Sequence, residues 1–284
     1  MSKLRSLTLD NPMMAEARRL LRRYLDFTRP GPSKLLLISV GLAVVGVTML
    51  AGFARFSDLV FLIMTFTCFL APGLMHGAIA GERERRTWDF LLVAPVTHGQ
   101  IVMGKFAGGA IGHVLFVLAW IPALLRAISR SDFDPFMGSG GLVYYPDGRR
   151  FEHFFVGLFF CIIFGWLLQA VTLFFSARAR KSLTALGTTI GILFLGLFAF
   201  PRFVSSMSGR DDPLQFVLNA LNPFSVIGAY LTPYLPYSEI DRAPAPWLMM
   251  GIYLAITGLI LFWTERTLRF ADNEVRFVPE KKHA

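Results

Sequence analysis

Charged residues are scarce in this chain, and those present are clustered. Lys, Arg, Asp and Glu make up 17% of the 284 residues, whereas hydrophobic residues make up 54%. A soluble domain carries about 25% charged residues. The gaps between the charge clusters are apolar runs of about 20 residues, the length that a helix needs to cross a bilayer core. The low charge excludes an ordinary soluble protein and predicts an all-α, polytopic integral membrane protein.

Features of secreted, metal-binding and nucleic-acid-binding proteins are also few. The only cysteines, Cys68 and Cys161, lie inside apolar runs and are expected to pack there rather than form a disulfide or bind a metal. The first 33 residues are too charged for a secretory signal, so we expect the first span to remain in the mature protein. No His, Cys or carboxylate pairing has catalytic or metal-site spacing. The net charge of +9 therefore indicates loops facing anionic lipid rather than a nucleic-acid partner.

Six apolar segments have the length of membrane spans. They are Leu35–Phe53, Leu59–Ala80, Ile101–Leu125, Phe154–Ala177, Leu183–Phe200 and Trp247–Thr264. Segment Leu214–Leu235 is also apolar, but Pro223 and Pro233 break it and Pro236 follows it. Because irregular backbone at membrane depth must be buried in protein or face water, this segment predicts short re-entrant helices before the last span. We treat 1–284 as one domain, with a cytoplasmic amphipathic segment (1–34), a six-span bundle (35–264) and a cytoplasmic tail (265–284).

The distribution of basic residues predicts the orientation. A helix start at Asn11-Pro12 precedes a basic amphipathic stretch, which is typical of a helix lying in the membrane interface. With six spans and a cytoplasmic N-terminus, the inside segments hold 20 Lys and Arg residues and the outside segments hold 8. This positive-inside bias predicts a multi-pass protein of a bacterial inner membrane with both termini in the cytoplasm.

Small and polar residues inside the spans have two interpretations each. Gly104, Gly108 and Gly112 recur every four residues, a spacing that lets helices approach closely in lipid. They predict helix packing, either within one subunit or between subunits. His113 and Gln169 are polar groups in apolar spans, so they either line a substrate path or hydrogen-bond to a neighbouring helix.

The charged loop after the second span carries the most specific pattern. It reads Gly81-Glu-Arg-Glu-Arg-Arg-Thr-Trp-Asp-Phe-Leu-Leu-Val-Ala-Pro95. Thr87 could cap a short helix whose apolar face holds Trp88, Leu91 and Leu92. Such a loop is either a solvated connection or a rigid helix offered to a cytoplasmic partner.

This loop resembles the signature of type-2 ATP-binding-cassette (ABC) permeases. The matching residues are Glu82-Arg83-Glu84, Thr87, Asp89, Leu91-Leu92, Pro95 and Gly104-Lys105, with weaker matches at Asn11-Pro12 and Asn222-Pro223-Phe224. The specific part covers about 25 residues. Arg86 departs from the pattern, since glycine is commoner there.

The resemblance implies a permease driven by a separate ATPase subunit and working with a second permease copy, identical or similar. The ATPase-coupling residues would be Glu82, Arg83, Glu84, Thr87, Asp89 and Leu91, and substrate would be exported. ATP and magnesium would bind to the partner, so no cofactor is expected in this chain. The segment from Gly99 to Lys105 nearly spells a phosphate-binding loop, but Phe106 follows the lysine where Ser or Thr is needed. The chain is therefore not expected to be an ATPase or another enzyme.

Two other classes of function remain open from the sequence. An integral membrane enzyme would need converging polar residues inside the spans, and this chain has few. A non-catalytic membrane anchor for a cytoplasmic complex would share the docking loop but would need no central path. An ATPase reading frame beside this one would favour the permease over both.

Overall fold

The structure, a computed structural model, describes residues 41, 56–93, 95–129, 149–199, 203, 221–231 and 245–276. Every regular element within these ranges is helical. The helices are α1 (Phe56–Met75), α2 (Ala80–Glu84), α3 (Trp88–Val93), α4 (His98–Ala119), α5 (Ile121–Ser129), α6 (Arg149–Arg178), α7 (Ser182–Phe194, continued by a π-helical turn at Leu195–Ala199), α8 (Pro223–Leu231) and α9 (Pro246–Arg276).

Five helical segments of the described part are long and apolar enough to cross a membrane. They are Phe56–Glu84, His98–Ser129, Phe151–Arg178, Ser182–Ala199 and Pro246–Arg269. They coincide with five of the six predicted spans, which confirms a polytopic all-α membrane protein. The predicted first span, Leu35–Phe53, and the amphipathic segment 1–34 lie outside the described residues apart from Gly41, so the count of six stays a prediction. In the first segment the apolar span is α1, and the charged α2 lies beyond it.

Local sequence determines several helix ends. Thr97 and Gln100 form a capping box at the start of α4, where each side chain bonds the backbone N–H of the other residue. The side chain of Asn222 accepts a hydrogen bond of 3.0 Å from the backbone N–H of Phe224 at the start of α8. Pro223 occupies the first helical position there, where a missing N–H costs nothing. These caps supply partners for backbone groups that helix ends leave unsatisfied.

Helix α6 lies at the centre of the bundle and packs against α1, α4, α7 and α9. Its side chains Phe160 and Phe164 are buried in one apolar cluster with α1. Its last turns bury Leu173 and Ala177 in a second cluster, at the end of the bundle that carries α2 and α3. We call this end the loop end.

The remaining elements refine the predicted spans. Helix α8 has nine residues and is about 14 Å long, too short to cross a bilayer, which agrees with a short helix in segment Leu214–Leu235. The rest of that segment lies outside the described ranges. Helix α9 continues past the predicted end at Thr264 to Arg276. No Gly or Pro interrupts this extension, and an ion pair between Arg269 and Glu265 spans one turn of it.

Candidate docking loop

The chain turns sharply between α1 and α2, and one buried serine of α6 holds this turn. Ser176 Oγ accepts hydrogen bonds from the backbone N–H groups of Ile79 (3.1 Å) and Ala80 (3.0 Å). The same hydroxyl donates to the carbonyl oxygen of His76 at 2.8 Å. Ser176 is fully buried. Although it lies about a hundred residues further along the chain, Ser176 caps the backbone N–H groups at the start of α2.

Helix α2 ends in a Schellman motif. The backbone N–H of Arg86 donates to the Arg83 carbonyl (3.1 Å), and that of Thr87 donates to the Glu82 carbonyl (2.9 Å). Arg86 has φ of 58°, in the left-handed region. This is the position at which glycine commonly ends a helix, because a Cβ is disfavoured there. The conformation explains why glycine is favoured at the position where Arg86 departs from the permease signature.

Glu82 joins this loop to α4. Its carboxylate accepts hydrogen bonds from the Thr87 hydroxyl and from Lys105 Nζ, the latter at 3.1 Å. Lys105 lies in the second turn of α4. Burial alone raises the pKa of Glu82, but the hydrogen bonds from Thr87 and Lys105 outweigh burial and place the pKa below its usual value of 4.5.

The next two residues join the loop to α6 and α7. Arg83 Nη1 donates to the carbonyl oxygen of Ala177, in the last turn of α6, at 2.6 Å. Glu84 Oε2 accepts from the hydroxyl (2.5 Å) and the backbone N–H (3.3 Å) of Ser182, the first residue of α7. These bonds lower the pKa of Glu84 below its usual value of 4.5.

Helix α3 has one packed face and one exposed face. Trp88 is only 6% exposed and belongs to the apolar cluster of the loop end, and Leu91 packs against that cluster. The Arg83 guanidinium lies 5.4 Å from the centre of the Trp88 ring. Asp89 is exposed, and Val93 is 87% exposed. Trp88 and Leu91 thus hold the loop against the helices, while the side chains of Asp89 and Val93 are exposed.

The structure brings the six predicted coupling residues together in this loop. Glu82, Arg83, Thr87 and Leu91 are half-buried, whereas Glu84 and Asp89 are exposed. Their role toward a partner stays a prediction. The sequence interpretation missed Ser176 and Ser182, which have no local signal because they lie more than 90 residues along the chain. It also missed Thr97 and Gln100, although the Thr-x-x-Gln spacing of a capping box is visible in the sequence.

The polar residues predicted inside the spans bridge α4 and α6. His113 and Gln169 are both fully buried. His113 Nε2 lies 3.1 Å from the Cys161 carbonyl oxygen, which makes it the donor. Gln169 Nε2 donates to the carbonyl oxygen of Gly109 at 3.0 Å. Each side chain therefore contacts the backbone of the other helix.

The predicted glycine stripe lies beside these contacts. Gly104 is buried in α4, Gly108 is half-buried, and a Cβ on Gly112 would make ordinary contact with Leu74 at 3.8 Å. Gly109 of α4 approaches its neighbour more closely than Gly112 does, since a Cβ there would lie 2.3 Å from Met75 Sδ. The packing role of the stripe is left as a prediction.

Comparison with known proteins gives one family. Residues 9–264 match the model of the ABC-2 family transporter protein. A protein of Pseudomonas aeruginosa described as a probable ABC transporter permease protein NosY is 27% identical over 181 residues, 58% of each chain. A protein of Stutzerimonas stutzeri with the same description is 27% identical over 204 residues, 66% of this chain and 69% of the relative. The match thus spans little more than half the length of the Pseudomonas relative.

Proposed function

The chain belongs to the ABC-2 family of transporter proteins, and from this premise we propose that it is the membrane-spanning permease subunit of an ABC exporter. A separate ATPase subunit docks on the loop at residues 81–100 and binds ATP and magnesium. The chain works with a second permease copy, identical or similar, in a bacterial inner membrane. Both of its termini lie in the cytoplasm, on the side of the loop end.

The observation that carries this proposal is the anchoring of the loop. Side-chain bonds fix it to α4 through Glu82, to α6 through Arg83 and to α7 through Glu84. Its outward face, with Asp89 and Val93, is left accessible. A partner that binds this face can displace α4, α6 and α7 together.

The energetic requirement is differential binding. Nucleotide can drive a change in the permease only if the ATPase binds one permease conformation better than another. A loop that is rigidly bonded to the spans meets this requirement, because the spans cannot rearrange without moving the surface that the ATPase contacts. A solvated flexible loop would transmit no such preference.

The test is co-purification in mild detergent from the native host, followed by mass spectrometry of the bound proteins. Besides the wild type, it uses Asp89→Lys and Val93→Asp, which change exposed side chains without touching the bonds beneath. The triple variant Glu82→Ala/Glu84→Ala/Leu91→Ala keeps the exposed face and removes the anchoring contacts to α4 and α7 and the packing of Leu91. Glu152→Lys is the charge-reversal control at the opposite end of α6, where the exposed carboxylate accepts a hydrogen bond from Tyr230.

We expect an ATPase subunit to co-purify with the wild type and with Glu152→Lys, and to be lost with Asp89→Lys, Val93→Asp and the triple variant. Absence of an ATPase from a folded wild-type sample would contradict the permease assignment. Equal ATPase recovery from all variants would place the docking surface elsewhere. Export is tested separately, by the direction of movement of a cargo in vesicles.

A further inference from the structure

Two adjacent residues of α2 bind the ends of two different membrane helices. Arg83 contacts the last turn of α6 at Ala177, and Glu84 contacts the first residue of α7, Ser182. The C-terminal end of a helix carries a partial negative charge and the N-terminal end a partial positive charge. The cation therefore lies on the negative end of α6, and the anion on the positive end of α7. The order of the two charges matches the order of the two helix ends.

The start of α2 is held by α6, one of these two helices. The N–H groups of Ile79 and Ala80 point to Ser176 of α6, which interrupts the backbone ladder between α1 and α2. The covalent connection from α1 is thus a turn, whereas the connections to α6 and α7 are side-chain hydrogen bonds at both ends of α2. Displacement of α2 is therefore transmitted to α6 through Ser176 and to α7 through Glu84.

Helices α6 and α7 differ in how tightly the bundle holds them. Helix α6 is largely buried, whereas most side chains of α7 are exposed among the described residues, including Leu183, Phe194 and Leu195. Elements with few buried apolar contacts move at lower free-energy cost. Of the two helices to which α2 bonds, α7 therefore moves at the lower free-energy cost.

We infer that α2 is clamped across the turn between α6 and α7, and that Ser176 and Ser182 are positioning residues which pass movement of the docking loop to α7. This inference rests on the proposed function, because it needs a partner that moves the loop. Ser182 donates hydrogen bonds to Glu84 at the end of α2, and Ser176 bonds to the backbone at the beginning of α2. Neither serine contacts the ATPase itself.

The test is hydrogen exchange followed by mass spectrometry on the complete complex in lipid nanodiscs. Exchange is compared without nucleotide and with ATP plus vanadate. Two peptides are read, one covering the docking loop (80–93) and one covering the first turns of α7 (182–190). The loop peptide reports ATPase engagement, and the α7 peptide reports transmission. No cargo is needed.

The variants distinguish loss of transmission from α2 to α7 from a general loss of protein stability. Glu84→Lys places a cation on the positive end of α7, and Ser176→Ala removes the cap of α2. Thr172→Ala is the matched control for Ser176→Ala, since Thr172 is buried one turn earlier on α6 and bonds only to Leu168 of its own helix. In Glu84→Lys/Ser182→Asp a cation–anion pair replaces the carboxylate–hydroxyl contact, so the two residues can bond again.

We expect nucleotide to change exchange in both peptides of the wild type and of Thr172→Ala. In Ser176→Ala and Glu84→Lys the response of the α7 peptide is lost while the loop peptide still responds, and Glu84→Lys/Ser182→Asp regains the α7 response. If the α7 peptide never responds, or responds equally in every variant, the clamp is wrong although the permease assignment stands. If the double variant stays unresponsive while its loop responds, transmission through the Glu84–Ser182 contact is wrong. If no ATPase binds and neither peptide responds in the wild type, the proposed function itself fails.

Discussion

His113 of α4 packs directly on the backbone of Gly165 of α6, so closely that a methyl group on Gly165 would lie 1.9 Å from His113 Nε2. One turn away the relationship is reversed, since Gln169 of α6 bonds to Gly109 of α4. On each helix a glycine therefore lies against a polar side chain of the other helix. Small residues allow such close approach in lipid, and the polar groups find backbone partners there. The two pairs fix the register of α4 against α6.

Gly165→Ala should therefore destabilise the protein. The new methyl group meets an imidazole that is itself fully buried, and overpacking of this kind costs about 1–3 kcal/mol. The measurement is the thermal unfolding midpoint in detergent, with size-exclusion chromatography to check folding. Gly187→Ala is the control, because nothing lies within 4 Å of its added Cβ, and it should be neutral or slightly stabilising. Adding His113→Ala to Gly165→Ala should restore part of the loss; no recovery would mean that the clash is not with His113.

Gln169→Leu should leave stability unchanged or raise it slightly. The substitution removes an interhelical hydrogen bond worth about 0.6 kcal/mol in a membrane. It also removes Gln169 Oε1, which is buried without a hydrogen-bond partner in the described part of the chain, a state that costs about 1–3 kcal/mol. The checks are the unfolding midpoint and ATP hydrolysis by the purified complex, and we expect both to be retained. A stable variant with altered hydrolysis would instead assign Gln169 to the substrate path.

The helices could be predicted from the sequence, but their register could not. Apolar length alone places five spans, because the bilayer demands about 20 apolar residues whatever their partners are. The four-residue spacing selects Gly104, Gly108 and Gly112, yet Gly109 and Gly165 approach a neighbouring helix more closely than Gly112 does. A repeat describes one helix face, whereas a close contact depends on which side chain of another helix lies opposite.

In the docking loop, too, the sequence predicts the element but not its contacts. Its charged signature was visible, and so was the departure at Arg86. The partners of Arg83 and Glu84 were not, because Ala177 and Ser182 are small residues without a local pattern. Only the packed bundle shows that three consecutive charged residues contact three different helices.

Arg86→Gly should stabilise the loop. A non-glycine residue in the left-handed region costs about 1–2 kcal/mol relative to the usual conformation, and glycine avoids most of this cost. Arg85→Gly is the control, since Arg85 at the C-cap of α2 has φ of −83°, an ordinary right-handed value, so glycine there should destabilise. Amide exchange of the loop peptide and the unfolding midpoint report both effects. Equal effects of the two substitutions would show that loss of the arginine charge, rather than backbone conformation, is responsible.

The contribution of Glu84 to stability should depend on pH only at the acidic end. Its folded pKa lies below the usual 4.5, because Ser182 bonds to the charged form. Such a group stabilises the fold fully above the unfolded pKa, and the contribution is lost as pH falls through the folded pKa. The measurement is the difference in unfolding midpoint between wild type and Glu84→Gln, taken from about pH 7 down to about pH 3.5. Glu82 shifts in the same direction but is present in both proteins, so it largely cancels. We expect a constant advantage of the wild type near neutral pH that shrinks below about 4.5. An advantage that grows with acidification would mean that Glu84 is held in its protonated form and that the bond to Ser182 has the opposite sense.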